Sequence, residues 1–286
     1  MNAYFKNDNC QIYNVDCIEY MKETDLKFNA ILTSPPYNTG RACTSELSRQ
    51  HHWGRYDEYT DEKTSEEYID WTLYIFNLFD KILKKDGVIM YNISYGSDVV
   101  SDLQKNTNSL VWLVVAKIIE NTPFTVADKI TWKKKQALPN NVSPNKLTRI
   151  TEDIFIFVRK KELLTFNCNK KISSYSRSNQ AFYENIYNFI EAKNNDGSCE
   201  LNKATYSSEL CEKLLKIYCK SNDVVFDPFN GTGTTGVACR NLNIKYVGTE
   251  ISEKQCKYSV DRINNISVKK LLNGEEIIQK DLFSEI

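Results

Sequence analysis

Ser34-Pro35-Pro36-Tyr37 follows the apolar run Phe28-Asn29-Ala30-Ile31-Leu32-Thr33 without interruption. Each proline fixes its own φ and restricts the residue before it, so the carbonyls of Ser34 and Pro35 point in set directions. Tyr37 adds a flat ring for stacking. A hydroxyl and a carbonyl that accept hydrogen bonds, held beside a ring, suit a planar substrate carrying an amino group, such as the exocyclic amine of a nucleobase. A strand ending this way places those groups at the carboxyl edge of a sheet, where ligands gather in open α/β folds.

A second group of chemistry-bearing residues lies far along the chain. Val224-Val225-Phe226-Asp227-Pro228-Phe229-Asn230 runs into Gly231-Thr232-Gly233-Thr234-Thr235-Gly236. The glycines let backbone approach a ligand closely, and threonine hydroxyls are expected to cap the helix that opens there. Val247-Gly248-Thr249-Glu250 then reads as a strand ending in a carboxylate, placed to accept hydrogen bonds from ribose hydroxyls. The spacing Gly231-x-Gly233-x-x-Gly236 also fits a dinucleotide fingerprint with an acid roughly 20 residues on. Against that reading stand the Asp-Pro-Phe lead-in, the lack of a small-residue strand before it, and the tetrapeptide at 34–37. No lysine follows the glycines, so a nucleoside-triphosphatase loop is excluded.

Together these segments resemble the (D/N/S)PPY and DPFxGSGTT signatures of S-adenosylmethionine-dependent amino-methyltransferases. With Ser34–Tyr37 first and Asp227–Thr235 near the end, the order is similar to the permuted β group of DNA amino-methyltransferases, and the resemblance covers most of the chain outside 133–201. It implies an α/β fold, a Rossmann-like methyltransferase core with a mostly parallel twisted sheet, formed by residues 1–132 and 202–286, with 133–201 as a small inserted recognition region. It also implies S-adenosylmethionine as cofactor and double-stranded DNA as partner, and allows a homodimer and a cognate restriction endonuclease.

On the same resemblance, Ser34, Pro35, Pro36 and Tyr37 are catalytic. Asp227 holds the methionine part of the cofactor, with Pro228, Phe229, Gly231, Gly233, Thr234 and Thr235 lining the site and Glu250 on the ribose. Asp16 takes the adenine amino group, with Asp281 the alternative. Ala204 and Thr205 pack against the methionine moiety; Asn202-Lys203 departs from the His-Pro that relatives often carry there.

Chemically, Ser34 and the Pro35 carbonyl would draw a base nitrogen towards tetrahedral geometry and aim its lone pair at the methyl group. The base must leave the duplex stack to get there, with Tyr37 stacking on it. Neither a metal nor a covalent nucleophile is required, and the absence of any Pro-Cys dipeptide disfavours the carbon-5 cytosine mechanism. Ser in the first motif position favours cytosine-N4 over adenine-N6. An RNA or protein-amide substrate is more distant, since those relatives usually carry NPPY after the glycine loop.

The elements that must position these groups alternate. Cys10–Asp16 reads as a strand and Cys17–Lys22 as a helix. Ser65–Lys84 is an amphipathic helix with Thr64 and Glu67 fitting a capping box, stopped by Lys85-Asp86-Gly87. Gly87–Ile93, Lys129–Trp132 and Asp153–Val158 read as strands, and Leu110–Glu120 and Ser208–Cys219 as helices. The long polar stretch from Asn38 to Tyr59, with Arg41, Arg49, His51, His52, Trp53 and Arg55, suits a DNA-contacting loop or lid.

The 286 residues, 41% hydrophobic and 26% charged, fit one large domain or a core with an insertion. No apolar stretch is long enough to span a bilayer, the first residues lack signal-peptide form, and nine cysteines show neither CxxC nor Cys/His ligand spacing. A cytoplasmic protein with reduced thiols is expected. Formal net charge is zero, yet Lys129, Lys133, Lys134, Lys135, Lys146, Arg149, Arg159, Lys160 and Lys161 crowd the middle third, which is compatible with phosphate contacts.

Overall fold

The apolar runs line up side by side as strands because each needs cover on both faces. The computed structural model describes residues 1–38, 63–93, 109–136, 144, 147–197, 201 and 205–264. Within these, the strands are β1 (Phe5–Lys6), β2 (Cys10–Asn14), β3 (Phe28–Thr33), β4 (Leu83–Ile93), β5 (Phe124–Lys134), β6 (Thr151–Arg159), β7 (Ile172–Tyr175), β8 (Ala181–Tyr183), β9 (Phe189–Ala192), β10 (Val224–Asp227) and β11 (Lys245–Glu250). The helices are α1 (Cys17–Glu23), α2 (Ser65–Ile82), α3 (Ser109–Asn121), α4 (Ser208–Tyr218), α5 (Thr234–Asn241) and α6 (Glu253–Ile263).

One sheet runs β1-β2-β11-β10-β3-β4-β6-β5-β9, and β7-β8 form a separate hairpin. β2, β11, β10, β3 and β4 are mutually parallel, whereas β6 is antiparallel to both its neighbours. The mostly parallel α/β sheet expected from the sequence is present. Side-chain alternation splits its core in two. Val88, Met90, Ile154, Ile156 and Val158 face α4, α5 and α6, while Ile89, Tyr91, Phe155 and Phe157 face α1, α2 and α3.

The chain leaves β10 through α5 to β11 on one side and leaves β3 through α2 to β4 on the other. The carboxyl ends of neighbouring β10 and β3 are therefore the topological switch point, where a crevice opens. Residues 34–37 and 228–233 both emerge there.

Several boundaries differ from expectation for local reasons. The Thr64–Glu67 capping box forms, but α2 stops at Ile82 and Leu83 already pairs with Phe28. Asp86 then takes a left-handed φ of 56°, and the β3–β4 register slips between Phe28 and Ala30. β5 is longer than the four residues expected because it pairs with β6 along most of its length. Among the described residues, the interval 133–201 contributes β6 and β9 to the main sheet and keeps the β7–β8 hairpin to itself.

The basic cluster is largely paired. Lys129 bridges Asp153, Lys133 bridges Glu191, Lys135 bridges Glu209, and buried Arg159 bridges Asp80 and Glu162. Each of these cations has an acidic partner within the chain. Among the described residues no helix is long and apolar enough to cross a membrane, no His/Cys/Asp/Glu group could hold a metal, and the cysteines are free.

Candidate active site

Thr33, the last residue of β3, donates its hydroxyl to Asp227 Oδ1 at 2.7 Å across the switch point. This bond joins the two segments singled out from the sequence, which lie 194 residues apart. Asp227 is fully buried and also accepts from Phe229 N (3.1 Å), Thr235 Oγ1 (2.7 Å) and Tyr206 Oη (3.4 Å). Burial pushes its carboxyl above the usual range, while Thr235, Thr33 and Phe229 pull it back. Asp227 thus knots β3, β10, α5 and the segment before α4.

The tetrapeptide is held just as firmly. Ser34 Oγ and Tyr37 Oη lie 2.8 Å apart, and buried Tyr68 of α2 donates to the Pro36 carbonyl at 2.7 Å. Asn38, with φ of 56°, bonds Lys63 through both its amide atoms, at 2.6 and 2.8 Å. It thereby ties together the two ends of 39–62; that stretch, with the basic and aromatic residues expected to contact DNA, lies outside the described residues.

Antiparallel β6 starts where parallel β4 ends, and this brings Glu152 to the same edge. Its Oε2 lies 3.5 Å from Tyr37 Oη and 3.3 Å from Asn92 Nδ2, and Oε1 pairs with Lys134. Asn92 Nδ2 also reaches the Asp153 carbonyl, leaving Asn92 Oδ1 as the buried side-chain atom without a partner among the described residues. Such an orphan costs on the order of 1–3 kcal/mol, a sign that this corner is built for polarity rather than stability.

On the other side of Asp227, Gly231 and Gly233 adopt φ of 51° and 80°. Gly231 N donates to Glu250 Oε2 at 2.8 Å, and Ser252 N to Oε1 at 3.0 Å. Burial pushes the Glu250 carboxyl up to about 7, against those two backbone donors. Val15 N bonds the Glu250 carbonyl at 3.1 Å, which sets exposed Asp16 alongside. Asp16 caps α1 by accepting from Ile18 N at 2.8 Å. Phe229 is half-buried against Trp71, at 5.6 Å between rings. Thr205 is half-buried directly before Tyr206; Asn202, Lys203, Ala204 and Asp281 lie outside the described residues.

The threonines do not cap α5 as expected. Its N-cap is Gly233, without a side-chain bond. Thr235 serves Asp227, while Thr232 and Thr234 accept from Arg262 Nη1 at 3.1 and 3.0 Å, and Arg262 is anchored by Asp196 at 2.7 Å. A Cβ at Gly233 would lie 2.5 Å from Ser259 Oγ and 3.1 Å from its Cα. Gly233→Ala is therefore expected to destabilise the fold by roughly 2–4 kcal/mol, combining left-handed strain with overpacking. A denaturation midpoint equal to wild type would contradict that.

Thr33, Tyr68, Asn92, Glu152, Tyr206 and Arg262 are the site-building residues that motif reading did not single out. Thr33 and Tyr206 adjoin quoted motifs. Tyr68, Asn92, Glu152 and Arg262 carry no local signal, because only the fold brings them to this edge.

The profile of a DNA methylase family matches residues 28–261. The type II methyltransferase M.BamHI of Bacillus amyloliquefaciens is 23% identical over 98% of this chain, which spans 63% of that enzyme's length. Among solved structures, the PvuII DNA methyltransferase, described as cytosine-N4-specific, superposes with a TM-score of 0.67 at 19% identity, covering 96% of this chain and 98% of that one. An M1.HpyAVI–SAM complex gives 0.57 at 23% identity, covering 89% and 99%.

Proposed function

The chain belongs to the DNA methylase family of N6/N4 amino-methyltransferases, and from that premise we propose that it transfers a methyl group from S-adenosylmethionine to the exocyclic amine of a base flipped out of double-stranded DNA. The Thr33–Asp227 hydrogen bond carries this reading, because it fixes an amine-gripping segment beside a glycine-lined cradle at one switch point. When bound, S-adenosylmethionine supplies an electrophilic methyl group on a sulfonium sulfur.

The residues suit that cofactor. Gly231 and Gly233 leave room for close backbone approach, and Phe229 offers an apolar surface. Glu250 and Asp16 are adjacent acceptors for a ribose diol and an adenine amine. Asp227 acts chiefly by holding the cradle in shape, since four protein donors already surround its carboxylate. Pro228, Thr234, Thr235 and Thr205 complete the wall, and the motif resemblance adds Ala204 to the cofactor-binding residues. At the substrate end, Ser34 Oγ and the Pro35 carbonyl accept from the amine, Pro36 stiffens the turn and Tyr37 stacks on the base. Ser34 favours cytosine-N4 over adenine-N6. Target recognition is assigned to 133–201, whose hairpin exposes Tyr175, Phe182 and Tyr183 beside Lys171 and Arg177.

Two tests bear on this reading. Labelled methyl transfer into duplex DNA, RNA and protein should mark DNA alone; label in RNA or protein would replace the proposed substrate. The second concerns Glu250. Its folded value, about 7, lies above the ordinary 4.5, so the unliganded fold binds the extra proton and loses stability as pH rises between those values. Hydroxyl donors favour the charged form, so S-adenosylmethionine binding should release a proton and tighten as pH rises through about 7. Calorimetry in buffers of different ionisation enthalpy reads the proton directly, and pH-independent affinity between 6 and 8 would remove Glu250 from the ribose.

A further inference from the structure

Resting on that amino-methyltransferase reading, we propose that Glu152 is a positioning residue that terminates a hydrogen-bond relay, Ser34–Tyr37–Glu152, and takes up the proton released by the methylated amine. A serine hydroxyl is a weaker acceptor than a carboxylate. Ser34 gains strength as an acceptor when it donates its own proton to Tyr37 Oη, 2.8 Å away, and Tyr37 donates onward to Glu152. The carboxylate therefore acts at two removes from the substrate.

The 3.5 Å between Tyr37 Oη and Glu152 Oε2 is long, and a shift of roughly 0.7 Å brings it to an ordinary O–H···O distance. Catalytic hydrogen bonds commonly tighten in this way when substrate enters. Glu152 sits recessed among polar partners. Lys134 pairs with it from β5, Asn92 donates from β4, and the Lys129–Asp153 pair lies alongside.

The step balances. The amine nitrogen's lone pair forms the new N–C bond, and the electron pair of the broken C–S bond goes to sulfur. The nitrogen, now cationic, gives a proton to Ser34 Oγ as Ser34 gives its proton to Tyr37 and Tyr37 gives its proton to Glu152. The positive charge that entered on sulfur ends by neutralising one carboxylate.

Two readouts test this. With duplex DNA and S-adenosylhomocysteine bound, 13C NMR of labelled glutamate side chains follows the Glu152 carboxyl, identified by its loss in Glu152→Gln. Tyr37→Phe removes a donor to the carboxylate and is expected to move that carboxyl resonance at fixed pH; an unmoved resonance overturns the relay. In turnover, Glu152→Gln is expected to lower kcat about 10²-fold with S-adenosylmethionine affinity intact, the low end of a proton-transfer contribution. In a Tyr37→Phe background, where the ring still stacks, Glu152→Gln should cost nothing further. Additive losses would make Glu152 merely structural. Should Glu152→Gln fail to fold, Tyr37→Phe alone decides: undiminished kcat overturns the relay. Methylation by wild type with no effect of either variant refutes the relay and leaves the methyltransferase reading standing, whereas an inactive wild type refutes that reading itself.

Discussion

Alanine at Ser34 is expected to lower kcat by about 10²–10³-fold, the cost of removing one preorganised partner of a developing charge. Cofactor affinity should stay within about twofold, because Ser34 bonds to Tyr37 and not to the Asp227 knot. The Pro35 carbonyl, Tyr37 and the Tyr68–Pro36 bond remain, so binding of the flipped base should persist and the loss should fall on kcat rather than KM. Steady-state kinetics with duplex DNA, together with calorimetry of S-adenosylmethionine, separates the two. An equal loss of cofactor affinity would mean that Ser34 shapes the cradle instead of the transfer.

The second large effect belongs to Asp227. Asp227→Ala leaves Thr33, Thr235, Tyr206 and the Phe229 N–H without their common acceptor inside the fold. Breaking a buried charged network costs roughly 3–5 kcal/mol. Because the knot joins four elements, its loss should also remove measurable S-adenosylmethionine binding while the outlying strands β5, β6 and β9 stay paired. Thermal unfolding and calorimetry read both effects. A variant that melts like wild type and still binds cofactor would show that the cradle is held some other way.

The two variants isolate different halves of one crevice, and the contrast follows from topology. β3 and β10 are neighbours with diverging crossovers, so any chain that alternates strand and helix in this order must bring residue 34 and residue 228 to the same opening. The alternation was legible because strands buried on both faces are apolar throughout, and because α2 announces its start with a capping box. The motif residues were legible because proline fixes the backbone, glycine frees it for left-handed turns and close approach, and an acid stands out at the end of an apolar strand.

What escaped had a different character. Glu152 is one acid before an apolar strand, and nothing in its neighbourhood marks it. It reaches the site only because β6 runs antiparallel to β4 and begins where β4 ends. Tyr68 and Arg262 are likewise single residues on helices, and nothing in their local sequence marks them. The threonines of the glycine loop were visible, but their pairing with Asp227 and Arg262 was not. The sequence shows the sign of the middle-third lysines and hides the acids, on neighbouring strands and on α4, that pair with three of them.

The central claim is that a base amine held by Ser34 receives a methyl group in duplex DNA. It is tested most directly by incubating the purified protein with unmethylated genomic DNA and S-adenosylmethionine, then digesting the DNA to nucleosides for mass spectrometry. The expected product is N4-methylcytosine, formed about 10²–10³-fold more slowly by Ser34→Ala. N6-methyladenine would keep the chemistry and overturn the base. Binding of the cofactor with no methylated nucleoside at all would contradict the account.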